Sequence, residues 1–386
     1  MHQHQHCVQI LRTPEEIETV RNFWNDCNPG RDADLDFYLF FAALRSEARR
    51  PHVVVLYDAD TPKALLAGRL EDARLSIKLG YLSLPGPSMR LLQFVHGGWL
   101  GETSNTNAKL LIGSVLDSLK TGEAEGAVFH YAEVNSALFR SAKTLPRWYC
   151  SDYAVSHQIH RFRDVSNRTE VLSSLTKKHR YNFRSLARKL KDTFPDSRID
   201  KLSKLDELDR LVADAEKVVS KSYQRGLGVG FSATPIVRSR LEFEARKGWL
   251  RAYILYLNGQ PSAFWIGSLR HGVFVSDYLA FDPAYAKYGP GLYLIVQVIE
   301  ELGRDPIGAP IKQIDFGIGD ALYKARLSNR ERQEAVICIF APTAKALAIN
   351  ALRSGLGTMI QAARTAMGPL ADRIKRLWRM KVTEKS

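Results

Sequence analysis

Residues 252–269 read AYILYLNGQPSAFWIGSL and residues 53–70 read VVVLYDADTPKALLAGRL, and the two stretches align without a gap. Leu56/Leu255, Tyr57/Tyr256, Pro62/Pro261, Ala64/Ala263, Gly68/Gly267 and Leu70/Leu269 are identical. Each stretch is two apolar runs around a turn, Asp58-Ala59-Asp60-Thr61-Pro62 in one and Asn258-Gly259 in the other, which is hairpin chemistry. Further along the chain a second pair follows in the same order. Ala137-Leu138-Phe139-Arg140 matches Ala321-Leu322-Tyr323-Lys324, in each case after a strand-like segment. The offset differs between the two pairs, so the loops between them differ in length. One hairpin followed by one strand-helix unit, twice over, predicts two copies of a mixed α/β fold. The expected domains are residues 1–165 and 166–342, followed by a basic helical tail over 343–386.

The rest of the pattern fills in around these anchors. In the first copy a strand is expected at Val8–Leu11, a helix opened by Thr13-Pro14, a helix over Asp34–Arg49, strands at 52–57, 64–70, 77–84 and 91–95, a helix over 105–120 and a buried strand at 127–131. In the second copy helices are expected over 169–191, 205–225 and 235–247. Then come a meander of strands at 250–257, 262–269 and 273–281, a helix after Gly289-Pro290-Gly291, a strand at 313–317, a short helix at 321–327 and a closing strand at 335–340.

Composition narrows the function classes. The 386 residues are 45% hydrophobic and 25% charged, as in soluble globular chains, which excludes wholesale disorder. No apolar run reaches the length of a membrane span and the N-terminus lacks a signal-peptide pattern, so a cytoplasmic protein is expected. Cys7, Cys27, Cys150 and Cys338 lie far apart, with neither a disulfide framework nor metal-finger spacing. The His2, His4, His6, Cys7 cluster is given no role, and no metal is expected.

The net charge of +14 comes from two places. Residues 176–191 carry seven Lys or Arg and no acid, and residues 342–386 carry nine against Asp372 and Glu384. In the first patch Leu172, Leu175, His179, Phe183, Leu186 and Leu190 form one helical stripe, and Lys177, Arg180, Arg184, Arg188 and Lys191 form another. The basic stripe is either a solvated face or a rail for phosphate docking through Arg180, Arg184 and Arg188. Base stacking is poorly supported, since Tyr181 is its only added aromatic. In the second patch Leu370, Ile374, Leu377 and Trp378 alternate with five cations. This is a basic amphipathic helix, able to rest on anionic membrane or to pack on its own domain.

Two segments of the second copy carry chemistry. Lys287-Tyr288-Gly289-Pro290-Gly291-Leu292 opens a helix, whose unpaired amides and positive dipole end suit a pyrophosphate. Asp315-Phe316-Gly317-Ile318-Gly319-Asp320-Ala321-Leu322-Tyr323-Lys324 places two carboxylates, a phenol and an amine around one strand-to-helix junction. Asp320 also suits a helix cap. The first copy has Tyr131, Ser136, Phe139 and Arg140 opposite Asp315, Asp320, Tyr323 and Lys324, so its acids and phenol are missing and it is expected to be degenerate.

The meander, the Tyr288-Gly289-Pro290-Gly291 helix start, the DFGIGD…YK stretch and the closing strand resemble the GNAT acyltransferase superfamily. More closely they are similar to its two-domain CelD-like branch, annotated for cellulose and exopolysaccharide biosynthesis and related in fold to the FemAB peptidyltransferases. The resemblance covers residues 8–342, with the specific motifs in 169–342. It implies acetyl-CoA or another acyl-CoA as co-substrate, its pyrophosphate at residues 287–292 and its thioester between two splayed strands. It also implies Tyr323 as the acid that serves the thiolate, and Asp315, Asp320 or Asp277 as the base, with Lys324 beside them. The phosphate loop departs from the family pattern, because Ala286 stands where a Gln or Arg is usual and Lys287 is displaced by one.

Three readings follow. The first is acyl transfer to an amine or hydroxyl of a small-molecule or glycan acceptor in a cell-envelope or exopolysaccharide precursor. The second is a FemAB-like transferase using aminoacyl-tRNA, the one role in which nucleic acid is expected. The third is a catalytically inactive GNAT-shaped scaffold in a polysaccharide or membrane assembly. Peripheral contact with the inner face of the membrane is expected through the C-terminal helix.

Overall fold

The computed structural model describes residues 6–74, 77–79, 82–84, 86–165, 171–222, 230–302, 311–319, 321–357 and 359. The chain divides into two compact units. Unit 1 combines residues up to Gln158 with a segment from Gln333 onward, and unit 2 is built on Ile159–Arg332.

In unit 1, β1 (His6–Leu11), α1 (Pro14–Glu18), α2 (Arg21–Asp26) and α3 (Leu35–Leu44) precede the long hairpin of β2 (Ala48–Asp58) and β3 (Thr61–Arg74). Next come β4 (Ile77–Leu79), β5 (Leu82–Leu84), β6 (Ser88–Gly101), α4 (Asn105–Lys120), β7 (Gly126–Glu133) and α5 (Ala137–Thr144). Thr13 and Glu16 form a capping box at α1, and Asp34 accepts from the Phe37 amide to start α3. The helix expected over 34–49 stops at Leu44 because β2 begins at Ala48, pairing with Glu71. The strand order is β1-β2-β3-β6-β7-β14, where β14 is Arg330–Phe340. Only β6–β7 is parallel among these pairs. One face carries α4 and α5 over Val54, Leu66, Phe94 and Phe129, and the other carries α2 and α3 over Val53, Val55 and Leu65.

Unit 2 contains β8 (Ser156–Asp164), α6 (Lys177–Thr193), β9 (Arg198–Leu202), α7 (Leu208–Val219), α8 (Pro235–Arg246), β10 (Leu250–Leu257), β11 (Gln260–Arg270), β12 (Val273–Phe281), α9 (Pro290–Leu302), β13 (Gln313–Ile318) and α10 (Leu322–Leu327). The order is β8-β13-β12-β11-β10-β9, again with one parallel pair, β12–β13. Helix α9 packs on one face with Tyr253, Leu255 and Trp265, and α7 packs on the other with Ile254, Phe264 and Ile266. Strand β9 was not expected from the sequence, since Arg198-Ile199-Asp200-Lys201-Leu202 carries little apolar content and is recruited by pairing with β10.

The internal repeat is visible in the registers. Both hairpins shift register before the shared tyrosine, with Tyr57 opposite Pro62 and Tyr256 opposite Pro261. Both second strands shift again at the shared glycine, before Gly68 and before Gly267. There the next strand leans in. A Cβ on Gly68 would lie 2.6 Å from Phe94 Cδ1, and one on Gly267 would lie 2.2 Å from the Val275 carbonyl and 2.7 Å from Phe274 Cζ. Gly267→Ala is therefore expected to destabilise by about 1–3 kcal/mol, more than Gly68→Ala, whose first obstacle is a ring edge and not backbone. Urea unfolding of the two variants checks the order, and a Gly267→Ala midpoint equal to wild type would contradict it.

The expected boundary at 342 differs from the structure in one respect. Strand β14 follows unit 2 in sequence but pairs with β7, Ile337 opposite Phe129 and Ile339 opposite Ala127, so the closing strand completes unit 1. Unit 2 is completed instead by β8, whose Phe162 and Arg163 pair with Asp315 and Ile314. Alternation identifies a strand but not its partner, so this exchange is invisible to local pattern. The helix over 344–357 also belongs to unit 1, with Ala346 buried in its core. The basic amphipathic helix expected at 370–381 lies outside the described residues, as do residues 223–229. Among the described residues no helix is long and apolar enough to cross a membrane.

Candidate active site

The parallel pair β12–β13 holds only at Val273/Gln313, Phe274/Ile314 and Val275/Asp315. Beyond that point β12 runs on to Phe281, while β13 bulges against β8 between Asp315 and Ile318, with Gly317 at φ 72°. Few side chains adopt that left-handed conformation, and glycine does so without strain. The two strands part there, and a cavity of about 160 Å³ lies at the wedge. Ser276, Asp277, Tyr278 and Leu279 of β12 line one wall, Phe316, Tyr323 and Lys324 another, and Gly230 completes it.

Aromatic packing positions Tyr323. Its ring meets the Phe316 ring edge to face at 6.4 Å, and Phe316 lies parallel to Trp265 at 6.4 Å. The Trp265 indole N–H donates to Ser276 Oγ at 2.8 Å, tying the floor of the wedge to its β12 wall. Lys324 Nζ donates to the Ile318 carbonyl at 2.9 Å. Burial pulls the Lys324 pKa below the ordinary lysine value, and the negative charge of Asp315 opposes that shift.

The carboxylates occupy different settings. Asp315 accepts from the Gly317 amide at 2.7 Å and lies 2.6 Å from Nε2 of buried His160, a contact in which the imidazole donates to the carboxylate. It clamps the bulge of β13 and is not among the lining residues of the wedge. Asp277 lines the wedge, with its carboxylate 3.3 Å from Arg240 Nη2. Arg240 also covers the Tyr278 ring at 5.1 Å and lies 3.7 Å from fully buried Glu244. Asp320 lies outside the described residues.

The expected phosphate loop forms as a turn and helix start. Asp282, buried and bonded to Lys221 at 2.9 Å, caps a 3-10 turn over Pro283–Tyr288. Gly289 follows at φ 63°, and α9 begins at Pro290. The first helical bond here is from the Tyr293 amide to the Gly289 carbonyl at 3.0 Å. The amides of Gly291 and Leu292 therefore have no acceptor within the helix and point along its N-terminal end. Both glycines are also packing positions: a Cβ on Gly289 would lie 3.1 Å from Leu186 Cδ1, and one on Gly291 would lie 3.1 Å from Phe281 Cδ1.

The Leu186 contact brings α6 against this loop. Its apolar stripe turns inward through Phe183 and Leu190. Arg184 and Arg188 are exposed, and half-buried Arg180 donates to the Ser173 carbonyl at 3.0 Å. Lys189 and Lys287 lie 5.4 Å and 5.1 Å from the Tyr288 ring centre. The structure thus gathers Tyr323, Lys324 and Asp277 at one wedge, sets Asp315 behind it, and places the basic face of α6 beside the α9 N-terminus. Sequence reading missed His160, Arg240 and Phe316. The Arg240/Glu244 spacing on α8 was a faint signal, and His160 had none, because its partner is 155 residues away.

The corresponding place in unit 1 lacks this chemistry. Strands β6 and β7 pair in parallel from Leu91/Gly126 to Phe94/Phe129, and Tyr131 takes a positive φ as Gly317 does. Ser136 caps α5, Phe139 is buried, and Arg140 bonds the Asn135 carbonyl at 2.5 Å.

Comparison with known proteins shows what this geometry is similar to. The profile described as Acetyltransferase (GNAT) domain matches residues 177–325. A tandem GNAT protein from the clavulanic acid biosynthesis pathway superposes with a TM-score of 0.50 at 10% identity, over 88% of this chain and 100% of that one. FemX gives a TM-score of 0.50 at 12% identity, over 82% of this chain and 95% of its own. A conserved protein of unknown function from Bacteroides thetaiotaomicron gives 0.49 at 14% identity, over 83% of this chain and 97% of that one. At such identities the likeness is one of fold. Among curated proteins none matches this sequence. The residues that match the GNAT domain profile contain the whole lining of the wedge, and the fold of the chain is similar to that of the tandem GNAT protein and of FemX.

Proposed function

We propose that this protein is an acyltransferase that moves an acyl group, most simply acetyl, from acyl-CoA to an amine or hydroxyl of a cell-envelope or exopolysaccharide precursor. The parting of β12 and β13, with Tyr323 and Lys324 on one wall, carries this reading. The wedge leaves room between the parted strands for an extended thioester arm. Support for the nucleotide end comes from the free amides of Gly291 and Leu292 and the cations of α6. The acceptor class rests on the CelD-like resemblance.

In the reaction the acceptor nitrogen bonds to the thioester carbonyl carbon and the carbon–sulfur bond breaks. The Lys324 amine, its ammonium form disfavoured by burial, takes the proton the acceptor loses. Tyr323 Oη gives its proton to the departing thiolate and recovers one from solvent. Asp277, held by Arg240, faces the acceptor side, and Asp315 with His160 keeps the bulge that separates the strands.

A second reading keeps the fold and changes the donor to aminoacyl-tRNA. The exposed Arg184 and Arg188 beside the α9 N-terminus favour it, because such a stripe can follow an RNA backbone. Calorimetric titration with acetyl-CoA at two salt concentrations tests both. Saturable binding is expected, unchanged within about threefold in Gly291→Ala and lowered about tenfold or more in Gly291→Glu, since only the second puts an anion at the helix end. Absence of binding by any CoA species would overturn the first reading, and tRNA affinity falling steeply with salt would support the second.

A further inference from the structure

Unit 1 has a face that no part of the acyl-transfer reading uses. Trp148 is 75% exposed, Tyr153 59% and Leu145 38%. These groups are held in place. Trp148–Cys150 forms a 3-10 turn anchored by buried Pro146 and Cys150. Tyr153 Oη donates to the Trp148 carbonyl at 3.0 Å, and Arg147 Nη1 donates to Tyr149 Oη at 2.7 Å. The Trp148 and Tyr149 rings meet edge to face at 5.6 Å. The helix over 344–357 runs along the same loop, with Asn350 donating to the carbonyls of Tyr149 and Ser151 and Arg353 to that of Ala154.

Along the two segments that carry these groups the charge has one sign. Residues 134–151 contain Arg140, Lys143 and Arg147 and no Asp or Glu, and residues 335–371 contain no acid. The intervening Asp152 is turned inward, paired with Arg353 at 3.0 Å and accepting from the Cys338 amide at 2.9 Å. An ordinary solvated face mixes both signs and keeps large apolar side chains down. An indole, a phenol and a leucine carried by segments whose charged side chains are cations match the boundary between water and an anionic bilayer. There the aromatic groups sit at headgroup depth and the cations meet phosphate.

We infer that this face, with Trp148, Tyr153 and Leu145 as apolar contacts and Lys143 and Arg147 as cations, docks on an anionic lipid surface. The chain's own residues 360–386 are a poorer occupant, because they carry seven Lys or Arg against two acids and would be repelled by the same cations. The bilayer attracts both. The inference stands on unit 1 alone and does not depend on the donor that unit 2 uses.

The test is sedimentation of the full chain with vesicles of mixed phosphatidylcholine and phosphatidylglycerol, and with phosphatidylcholine alone, at low salt. Binding is expected to the mixed vesicles only. A Trp148→Ala/Tyr153→Ala variant and a Lys143→Glu/Arg147→Glu variant are each expected to partition about tenfold less. The same losses are expected in a background where Arg373, Lys375, Arg376 and Arg379 are changed to Gln. All four face positions are exposed, so far-UV circular dichroism should match wild type. Failure of the wild type to bind mixed vesicles, or wild-type partition by both face variants, would overturn the inference. The second result would leave the tail, or a different surface, as the membrane contact.

Discussion

Tyr323→Phe is expected to lower kcat by about 100-fold or more while leaving acyl-CoA affinity within about twofold of wild type, the signature of losing a proton donor and not a binding contact. The ring packs on Phe316, which is itself stacked on Trp265, and Phe keeps that packing, so the substitution removes only the hydroxyl at the wedge. Steady-state turnover beside calorimetric donor titration separates the two effects. An equal fall in turnover and affinity would make Tyr323 a binding residue, and wild-type turnover would remove it from the mechanism. Unit 1 provides an internal comparison, since its Phe139 already occupies the corresponding place in the repeat.

The second large effect is expected at Lys324. Burial lowers its pKa, so the free amine is more populated near neutral pH than for an exposed lysine. If it takes the acceptor's proton, kcat/KM rises with pH through one ionisation below the ordinary value of 10.5. Lys324→Arg keeps the positive charge but does not give it up, and is expected to cost about 100-fold or more and to remove that limb of the profile. Near-wild-type activity in Lys324→Arg would leave only a role for charge.

The same lysine has a stability signature. Its folded pKa is depressed, so over the interval between that value and the unfolded one the unfolded chain binds more protons. Stability therefore rises with pH across this interval, and the cost of burying the charge is fully present below it. Lys324→Met is expected to be at least as stable as wild type at neutral pH and to lose that rise. Urea midpoints measured across the alkaline range check the sign.

Much of unit 2 was legible because its signals are local. Asn258-Gly259 specifies a turn, Gly289-Pro290-Gly291 a helix start, and the stripe through Phe183 and Leu190 an apolar helix face, whereas Leu172 and Leu175, expected in the same helix, precede it because Thr176 caps α6 and Val171–Ser174 form a 3-10 turn. The repeat was legible because Tyr57/Tyr256, Pro62/Pro261 and Gly68/Gly267 sit where register shifts demand similar residues in both units. Among the proposed catalytic groups, Tyr323 and Lys324 announced themselves by following a glycine-broken strand. The roles of the carboxylates did not, because Asp277 and Asp315 look alike until their partners are seen.

By itself, then, the sequence determined the mixed α/β class, the duplication, the basic face of α6 and the stretch that supplies Tyr323 and Lys324, all consequences of periodicity, turn chemistry and charge within short windows. Tertiary structure alone decided that β14 completes unit 1 and β8 completes unit 2, that β12 and β13 part after three paired residues, and that Asp315 is engaged by His160 while Asp277 lines the wedge with Arg240. Strand partners and side-chain contacts across 150 residues or more are set by whichever pairing buries both faces of a sheet and satisfies its polar groups together, as His160 and Asp315 do at a separation of 155. That condition belongs to the folded chain as a whole, and no local window of it carries the answer.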